Sequence, residues 1–260
     1  MDQRAVEAGT NVSGLTSGLT SFVIPVRNEA ENIRPTLEAL SAVIHASAEI
    51  LIVYDEENDP TLPVVKSLKA PPSVEYRLVR NTLGRGPANA LKAGFAAARG
   101  DALIVMMADR SDDLRALDPM LKRFADGYDL VVGSRYMPGG EQIGGPWLKG
   151  KLSRIAGQSL KMFGLPICDP TNSFKLYRTE RLQKLELESA GGFEINLEIV
   201  GKACRAGWRL AEVPSRWEDR TEGQSKFKLW RWLPRYLRWY CYTLTGIAAS
   251  RRATAGWRPA

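Results

Sequence analysis

Five apolar runs, each followed by a polar turn, constrain this chain more than any other feature. They are "LTSFVIPV" (Leu19–Val26), "EILIVYD" (Glu49–Asp55), "VEYRLVRN" (Val74–Asn81), "ALIVMM" (Ala102–Met107) and "DLVVGSRY" (Asp129–Tyr136). They are short, rich in Val, Ile and Leu, and lack a clean period of two, the pattern of strands buried on both faces. Segments of helical character separate them. Ile33, Leu37, Leu40 and Ile44 recur at helical spacing, "VVKSLKA" suggests a short helix, "ANALKAGFAAARG" a helix closed by Gly100, and "LDPMLKRFADG" a further one. Strands alternating with helices predict an α/β fold with a mostly parallel sheet covered on both faces.

Ligands on such sheets sit beyond the carboxyl ends of the strands, where Asp55, Asp109 and "GSRY" fall. The second half is less regular. It reads as a helix "GPWLKGKLSRIAGQSLKMFG", a turn-rich "LPICDPTNSFKLYR", a helix "NLEIVGKACRAG" and a strand "WRLAEVPSRWED".

Charge narrows the class of partner. The chain has 260 residues and a net charge of +7, but eight of its 36 cations lie in 223–260, which holds no Asp or Glu. That leaves 28 basic against 29 acidic residues before it, so the globular part is near neutral. No base-reading motif accompanies the basic tail, and no nucleic-acid partner is expected. Cys168, Cys204 and Cys241 are widely spaced and odd in number, which argues against a disulfide framework or a zinc site and for a reducing compartment. Residues 1–18 read as a loose tail without the basic and apolar regions of a secretory signal. No apolar run reaches the length of a membrane span, about 18 residues. The lone His45 carries no motif.

Strand-end carboxylates occur at Asp55 with Asp59, and at Asp109 with Asp112 and Asp113 in "MMADRSDD". Hard cations such as Mg2+ and Mn2+ take carboxylate oxygens together with substrate phosphates. Asp112 and Asp113 suit the N-terminus of a helix starting at Leu114 equally well, and spacing alone does not choose between these roles.

Eight motifs in order resemble the family 2 glycosyltransferases of GT-A fold, and among them the polyprenyl-phosphate (dolichol-phosphate-mannose-like) synthases. "VIPVRNEAENI" is similar to the family's opening strand and turn. "ILIVYDEENDPT" takes the place of its "VVDDGSxDxT", "NTLGRGPANALKAGFAAARGD" of its Gly-rich turn and helix, and "IVMMADRSDD" of its "MDADLQH" metal motif. "VVGSRY", "DPTNSFKLYR", "GFEINLEIVGKA" and "AEVPSRWEDRTEGQSKF" complete the order. The resemblance runs from about Ser21 to Phe227.

The resemblance implies a Rossmann-like GT-A domain over 19–222, after the flexible tail 1–18 and before a basic, aromatic, amphipathic segment 223–260. It implies that Pro25, Arg27, Asn28, Glu29 and Asp55 line a nucleotide-sugar pocket together with Asp109. It places a divalent metal, Mg2+ or Mn2+, at Asp109 with oxygens from Asp112 or Asp113. The chain departs from the pattern where Met107 replaces the first Asp of the metal motif, Tyr54 the leading Asp of the first acidic loop, and Ser111 the motif's Gln. A thioether is a poor ligand for a hard cation. Arg135 matches the Arg that holds a lipid phosphate, with Lys149 and Ser153 at the other phosphate positions. Lys149 stands where the family has Arg, keeping the charge but losing the two-pronged donor. Arg220 and Lys226, with Gly223 and Ser225, match a loop whose cations would stabilise a leaving diphosphate.

In 227–244, Lys228, Arg231, Arg235 and Arg238 fall within about 80° on a helical wheel, and Trp230, Leu233, Leu237, Tyr240, Cys241 and Leu244 within about 100° on the other side. Trp232 and Trp239 lie beside the basic stripe. That pattern suits helices at a membrane interface. Pro234 predicts a break, with a second helix opening there. The expectation is a glycosyltransferase that moves a hexose, with inversion, from a nucleotide diphosphate sugar to a polyprenyl phosphate, peripherally bound at the cytosolic face of a membrane. Two alternatives remain: a sugar-hydroxyl acceptor with Asp169, Glu194 or Glu198 as base, and a non-catalytic nucleotide-sugar-binding homologue.

Overall fold

Strand β1 (Thr20–Val26) pairs in parallel with β2 (Ala48–Tyr54) on one side and β4 (Ala102–Val105) on the other, and β3 (Val74–Arg80) extends the sheet beyond β2. The computed structural model describes residues 18–219 and 229–255, with side chains over 18–219 and 233–248. Every residue of β2 and β4 is buried, as is all of β1 except Pro25.

Successive side chains of β1 feed two cores. Phe22, Ile24 and Val26 face α1 (Ala30–Val43), α2 (Thr61–Ser67) and α4 (Leu117–Ala125). Val23 faces α3 (Pro87–Ala97) and α7 (Ile195–Arg205) on the other side. Ile33, Leu37 and Leu40 of α1 are fully buried at 0% exposure, each contributing about 1.5–3 kcal/mol of transfer free energy.

The remaining strands are β5 (Leu130–Ser134), β6 (Glu141–Ile143), β7 (Lys175–Arg178), β8 (Leu210–Pro214) and β9 (Arg216–Glu218), with α5 (Trp147–Met162) and α6 (Thr179–Gln183) between them. The main sheet runs β3-β2-β1-β4-β7-β5-β8. Four of its six pairings are parallel; β7 enters antiparallel between β4 and β5. This is the mostly parallel, helix-flanked sheet that the strand pattern requires.

Three elements differ from the sequence reading. The turn-rich "LPICDPTNSFKLYR" contains the central strand β7, whose four residues begin with a lysine and give no strand-length apolar run. "WRLAEVPSRWED" divides at Ser215 into β8, in the main sheet, and β9, which pairs with β6 in a separate ribbon. Pro234 does not break the tail: α8 (Leu229–Ala255) is one helix with Pro234 as its sixth residue, as α1 continues past Pro35. A proline there removes one backbone bond near the helix start. Packing of the helix against α7 offsets that loss.

That packing also reassigns the tail's faces. Among the described residues of α8, Trp239, Thr243 and Ile247 have buried side chains, and Tyr236, Tyr240, Tyr242 and Leu244 pack at the edge of the same core. Gly201 of α7 admits the close approach, since a Cβ there would collide with the Thr243 hydroxyl. Trp239, expected beside the basic stripe, therefore faces the domain. Arg235 and Arg238 of that stripe pair with Glu194 and Glu188.

Candidate functional site

Three parallel strands deliver the acidic loops to one edge. β1, β2 and β4 end at Val26, Tyr54 and Val105, so the loops that follow them open on the same side of the sheet. The first two loops are tied by Asp59, which is 6% exposed. Its carboxylate accepts the Asn28 N–H at 3.0 Å and the Thr61 N–H at 2.9 Å, while the Thr61 hydroxyl accepts the Glu29 N–H at 2.9 Å. Asn28 takes a left-handed backbone, φ 58°, which Asn tolerates better than most residues. Asp55 accepts the Asn81 amide at 2.7 Å and the Gly86 N–H at 3.1 Å, bracing the Gly-rich turn before α3. Pro25, Arg27, Asn28, Glu29 and Asp55 thus gather at neighbouring strand ends. None of them lines the large cavity described next.

That cavity has a volume of about 460 Å3 and is bounded by Met107, Asp109, Asp112, Arg135, Lys149 and Ser153 on its polar side. Asp112 and Asp113, adjacent in sequence, separate in space. Asp113 is the N-cap of a 3-10 turn at Leu114–Ala116: its carboxylate accepts the Arg115 N–H at 3.1 Å and pairs with the Arg115 guanidinium at 2.8 Å. Burial raises its pKa, but the Arg115 bonds outweigh that and hold it below the usual range. Asp112 turns inward and accepts the Met107 N–H at 2.8 Å. Burial pushes its pKa up to about 7; the Met107 bond opposes the shift, the neighbouring Asp109 charge adds to it, and Arg135 opposes it. Asp109 accepts the Ser111 N–H at 3.2 Å, and the intervening Arg110 is left-handed at φ 61°. The Ser111 hydroxyl is buried without a hydrogen-bond partner among the described residues. Among those residues no group of three or more His, Cys, Asp or Glu is placed to hold a metal by itself.

Across the cavity, Arg135 leaves the end of β5 and forms a two-pronged pair with Asp169, Nε to Oδ2 at 2.7 Å and Nη2 to Oδ1 at 2.8 Å. Burial alone would lower the Arg135 pKa, but the Asp169 carboxylate overrides it and holds the guanidinium above its ordinary value. Arg135 also donates to the Thr171 hydroxyl at 3.3 Å, which shares a hydrogen bond with Ser153 of α5. Lys149 lies one turn earlier on α5 and lines the same cavity.

Sequence reasoning missed what holds this wall in place. Lys175, fully buried on β7, donates to the Pro170 carbonyl at 3.0 Å and to that of Asn172, fixing the loop that presents Asp169. Burial lowers its pKa to about 7, with Asp169 opposing the shift and Arg135 adding to it. A lysine inside the apolar "FKLY" was the available signal.

The carboxylates expected as alternative bases are engaged otherwise. Asp169 is committed to Arg135. Glu198 accepts the Glu188 and Ser189 N–H groups at 2.6 and 2.8 Å and pairs with Lys202. Glu194 pairs with Arg235 at 3.5 Å, leaving its other oxygen buried without a hydrogen-bond partner among the described residues.

The opposite wall is apolar. Leu152 and Ile155 of α5 face Leu197 of α7 and Leu233 and Leu237 of α8, with Tyr236 and Tyr240 between. Arg220, Gly223, Ser225 and Lys226 lie outside the described residues. Among those described, no helix is long and apolar enough to cross a membrane.

Comparison with known proteins agrees with this architecture. The chain is 32% identical over 215 residues to the polyprenol monophosphomannose synthase of Mycolicibacterium smegmatis, covering 80% of each chain. It is 29% identical over 213 residues to the dolichol-phosphate mannosyltransferase of Pyrococcus furiosus, covering 80% of this chain and 59% of that longer one. The glucosyl-3-phosphoglycerate synthase of Mycobacterium tuberculosis, solved with Mn2+, UDP and glucosyl-3-phosphoglycerate, superimposes with a TM-score of 0.66 at 16% identity, over 92% of this chain and 85% of that one. Residues 21–185 match the family model described as glycosyl transferase family 2. The chain belongs to glycosyl transferase family 2 and is a glycosyltransferase of GT-A fold.

Proposed function

We propose that this enzyme moves a hexose from a nucleotide diphosphate sugar to a polyprenyl phosphate with inversion at the anomeric carbon. The observation that carries the reading is one cavity with three walls of different chemistry: carboxylates at Asp109 and Asp112, cations at Arg135 and Lys149, and an apolar side from α5, α7 and α8. The names of the relatives, which act on dolichol and polyprenol phosphates, support the acceptor class and make mannose the first hexose to test.

Arg135 and Lys149, with the Ser153 hydroxyl, bind the acceptor phosphate in this reading. A phosphate oxygen is already anionic, so it attacks the anomeric carbon without a general base as the bond to the leaving diphosphate breaks. Positioning and charge stabilisation then supply the catalysis. Pro25, Arg27, Asn28, Glu29 and Asp55 hold the nucleotide, and Arg220 and Lys226 add cations over the leaving group. Residues 19–222 carry this chemistry together with Lys226 and the cavity wall formed by α8, and 223–260 also contribute to a peripheral contact with the cytosolic face of a membrane.

The residues present fit a divalent cation. Mg2+ is commonly held by one or two carboxylates plus substrate phosphates, and Asp109 and Asp112 are two carboxylates close enough that burial and mutual repulsion keep Asp112 partly protonated near neutrality. Mg2+ or Mn2+ bound there would neutralise charge on the leaving diphosphate. Asp113, committed to Arg115, is the outer member of the set.

Full-length protein incubated with radiolabelled UDP-, GDP- and dTDP-hexoses, a polyprenyl phosphate and Mn2+ or Mg2+ tests the reading. The expected product is a glycosylated lipid phosphate; none from any donor sinks the proposal.

A further inference from the structure

The loop 168–172 is gripped by every element around it. Glu212 of β8 accepts the Cys168 N–H at 2.9 Å, and Arg135 at the end of β5 holds Asp169. Ser153 of α5 shares a hydrogen bond with Thr171, and the Asn172 amide donates to the Gly133 carbonyl at 2.5 Å. A Cβ at Gly157 would strike the Cys168 carbonyl, so α5 lies directly on this loop. From within the sheet, the Lys175 ammonium donates to the Pro170 and Asn172 carbonyls, on either side of Thr171. Thr171 and Asn172 line the large cavity; Lys175, which fixes them, does not.

Hydrogen bonding alone does not account for a lysine at this position. Its register partners are Val105 of β4 and Val132 of β5, both buried, and it is the only lysine or arginine among the described residues to be buried, at 0% exposure. A neutral amide also donates to two carbonyls and brings no charge inside. The anion that Lys175 meets is Asp169, yet Asp169 already receives both prongs of Arg135. Two cations against one carboxylate leave this cluster with one positive charge in excess, at the Arg135 wall of the cavity. A buried charge is costly until a counter-ion meets it, and an acceptor phosphate at Arg135 is such a counter-ion.

We propose that Lys175 is a positioning residue for the acceptor phosphate: it fixes the loop that aims Arg135 and Ser153, and its charge makes the Arg135–Asp169 pair cationic overall. The identity of that phosphate rests on the proposed function. Burial lowers the Lys175 pKa to about 7, with Asp169 opposing the shift and Arg135 adding to it. The carboxylates of α7 over the same side of the sheet, Glu194 and Glu198, are engaged by Arg235 and Lys202. The excess charge is therefore present below neutrality and withdrawn above it. A bound dianionic phosphate favours the protonated amine, so acceptor binding takes up a proton.

Steady-state transfer by the full chain, with Mg2+, saturating donor and varied polyprenyl phosphate, tests this at pH 7 and pH 9. The second ionisation of a phosphate, near about 6, is largely complete at both. With a coupling of about tenfold between the phosphate and the Lys175 proton, the native acceptor KM rises about fivefold from pH 7 to pH 9. Lys175→Met, which keeps length and removes charge, should raise the acceptor KM at pH 7 by about tenfold, leave the donor KM within about twofold, and abolish the pH dependence. Lys175→Gln, which keeps a donor group and loses the charge, should behave in the same way. A native acceptor KM that is flat from pH 7 to pH 9 overturns the inference whether or not the variants fold. So does a Lys175→Met enzyme whose donor and acceptor KM rise together, or whose kcat alone falls, the result of a general loosening. Absence of transfer by the native chain is a separate result, which overturns the proposed activity and this inference with it.

Discussion

Arg135 and Asp169 meet in a two-pronged ion pair at 2.7 and 2.8 Å, with the Asp169 side chain fully buried and Arg135 12% exposed. Asp169 is the carboxylate that faces both Arg135 and Lys175, so it offsets two buried cations. Removing one partner of such a pair strands a charge, at a cost of about 3–5 kcal/mol. Asp169→Ala should destabilise the protein by that amount in urea unfolding. Arg135→Lys should keep the fold but lower kcat/KM for the acceptor by roughly ten- to a hundredfold, since it keeps the charge and loses the fork.

Lys149 is a single-point donor where the related pattern has Arg. Lys149→Arg should retain transfer. Lys149→Ala should raise the acceptor KM by about tenfold or more, the worth of a charge-assisted hydrogen bond. Steady-state kinetics with varied polyprenyl phosphate read both, and an unchanged KM in the Ala variant removes Lys149 from the phosphate site.

Asp112 makes stability depend on pH in a definite direction. Its folded pKa, about 7, lies above the ordinary 3.8, so between these values the folded state holds a proton that the unfolded state has lost. Its contribution to stability therefore falls as pH rises from about 4 to 7, by on the order of 4 kcal/mol in the limit. Asp112→Asn should flatten that part of the unfolding profile. A bound divalent cation favours the ionised carboxylate, so Mn2+ should raise the unfolding midpoint more at pH 8 than at pH 6, and the difference should vanish in Asp112→Asn. Equal Mn2+ shifts at both pH values in the native chain would remove Asp112 from the metal site.

Trp239 anchors α8. It is 2% exposed, stacks edge-on with Tyr242 at 5.3 Å, and has the Lys202 ammonium 5.3 Å from its ring centre. Trp239→Ala should cost about 3–5 kcal/mol. Gly201→Val, which places atoms where Thr243 sits, should expose α8 to limited proteolysis between residues 229 and 255 while α7 stays protected.

The layered sheet was legible because a strand buried on both faces needs a continuous apolar run, and four such runs map directly onto β1, β2, β4 and β5. β7 was not legible. Its four residues open with a buried lysine whose cost is met by carbonyls of a loop folding back over it, a compensation that exists only in three dimensions. The tail shows the same limit: a helical wheel finds two faces, but which one the protein buries depends on the shape of α7, where Gly201 leaves room for Thr243.

The acidic loop draws the division most sharply. The sequence by itself determined that Asp109, Asp112 and Asp113 follow a buried strand, at the sheet edge where ligands bind, within an ordered set of motifs. Only the tertiary structure decided their separate fates. Arg115 and the start of a 3-10 turn claim Asp113, while the Met107 N–H draws Asp112 inward beside Asp109 and opposite Arg135. Two neighbouring aspartates have the same intrinsic chemistry; burial and the charges brought near each of them make one a helix cap and the other a carboxylate that titrates near neutrality.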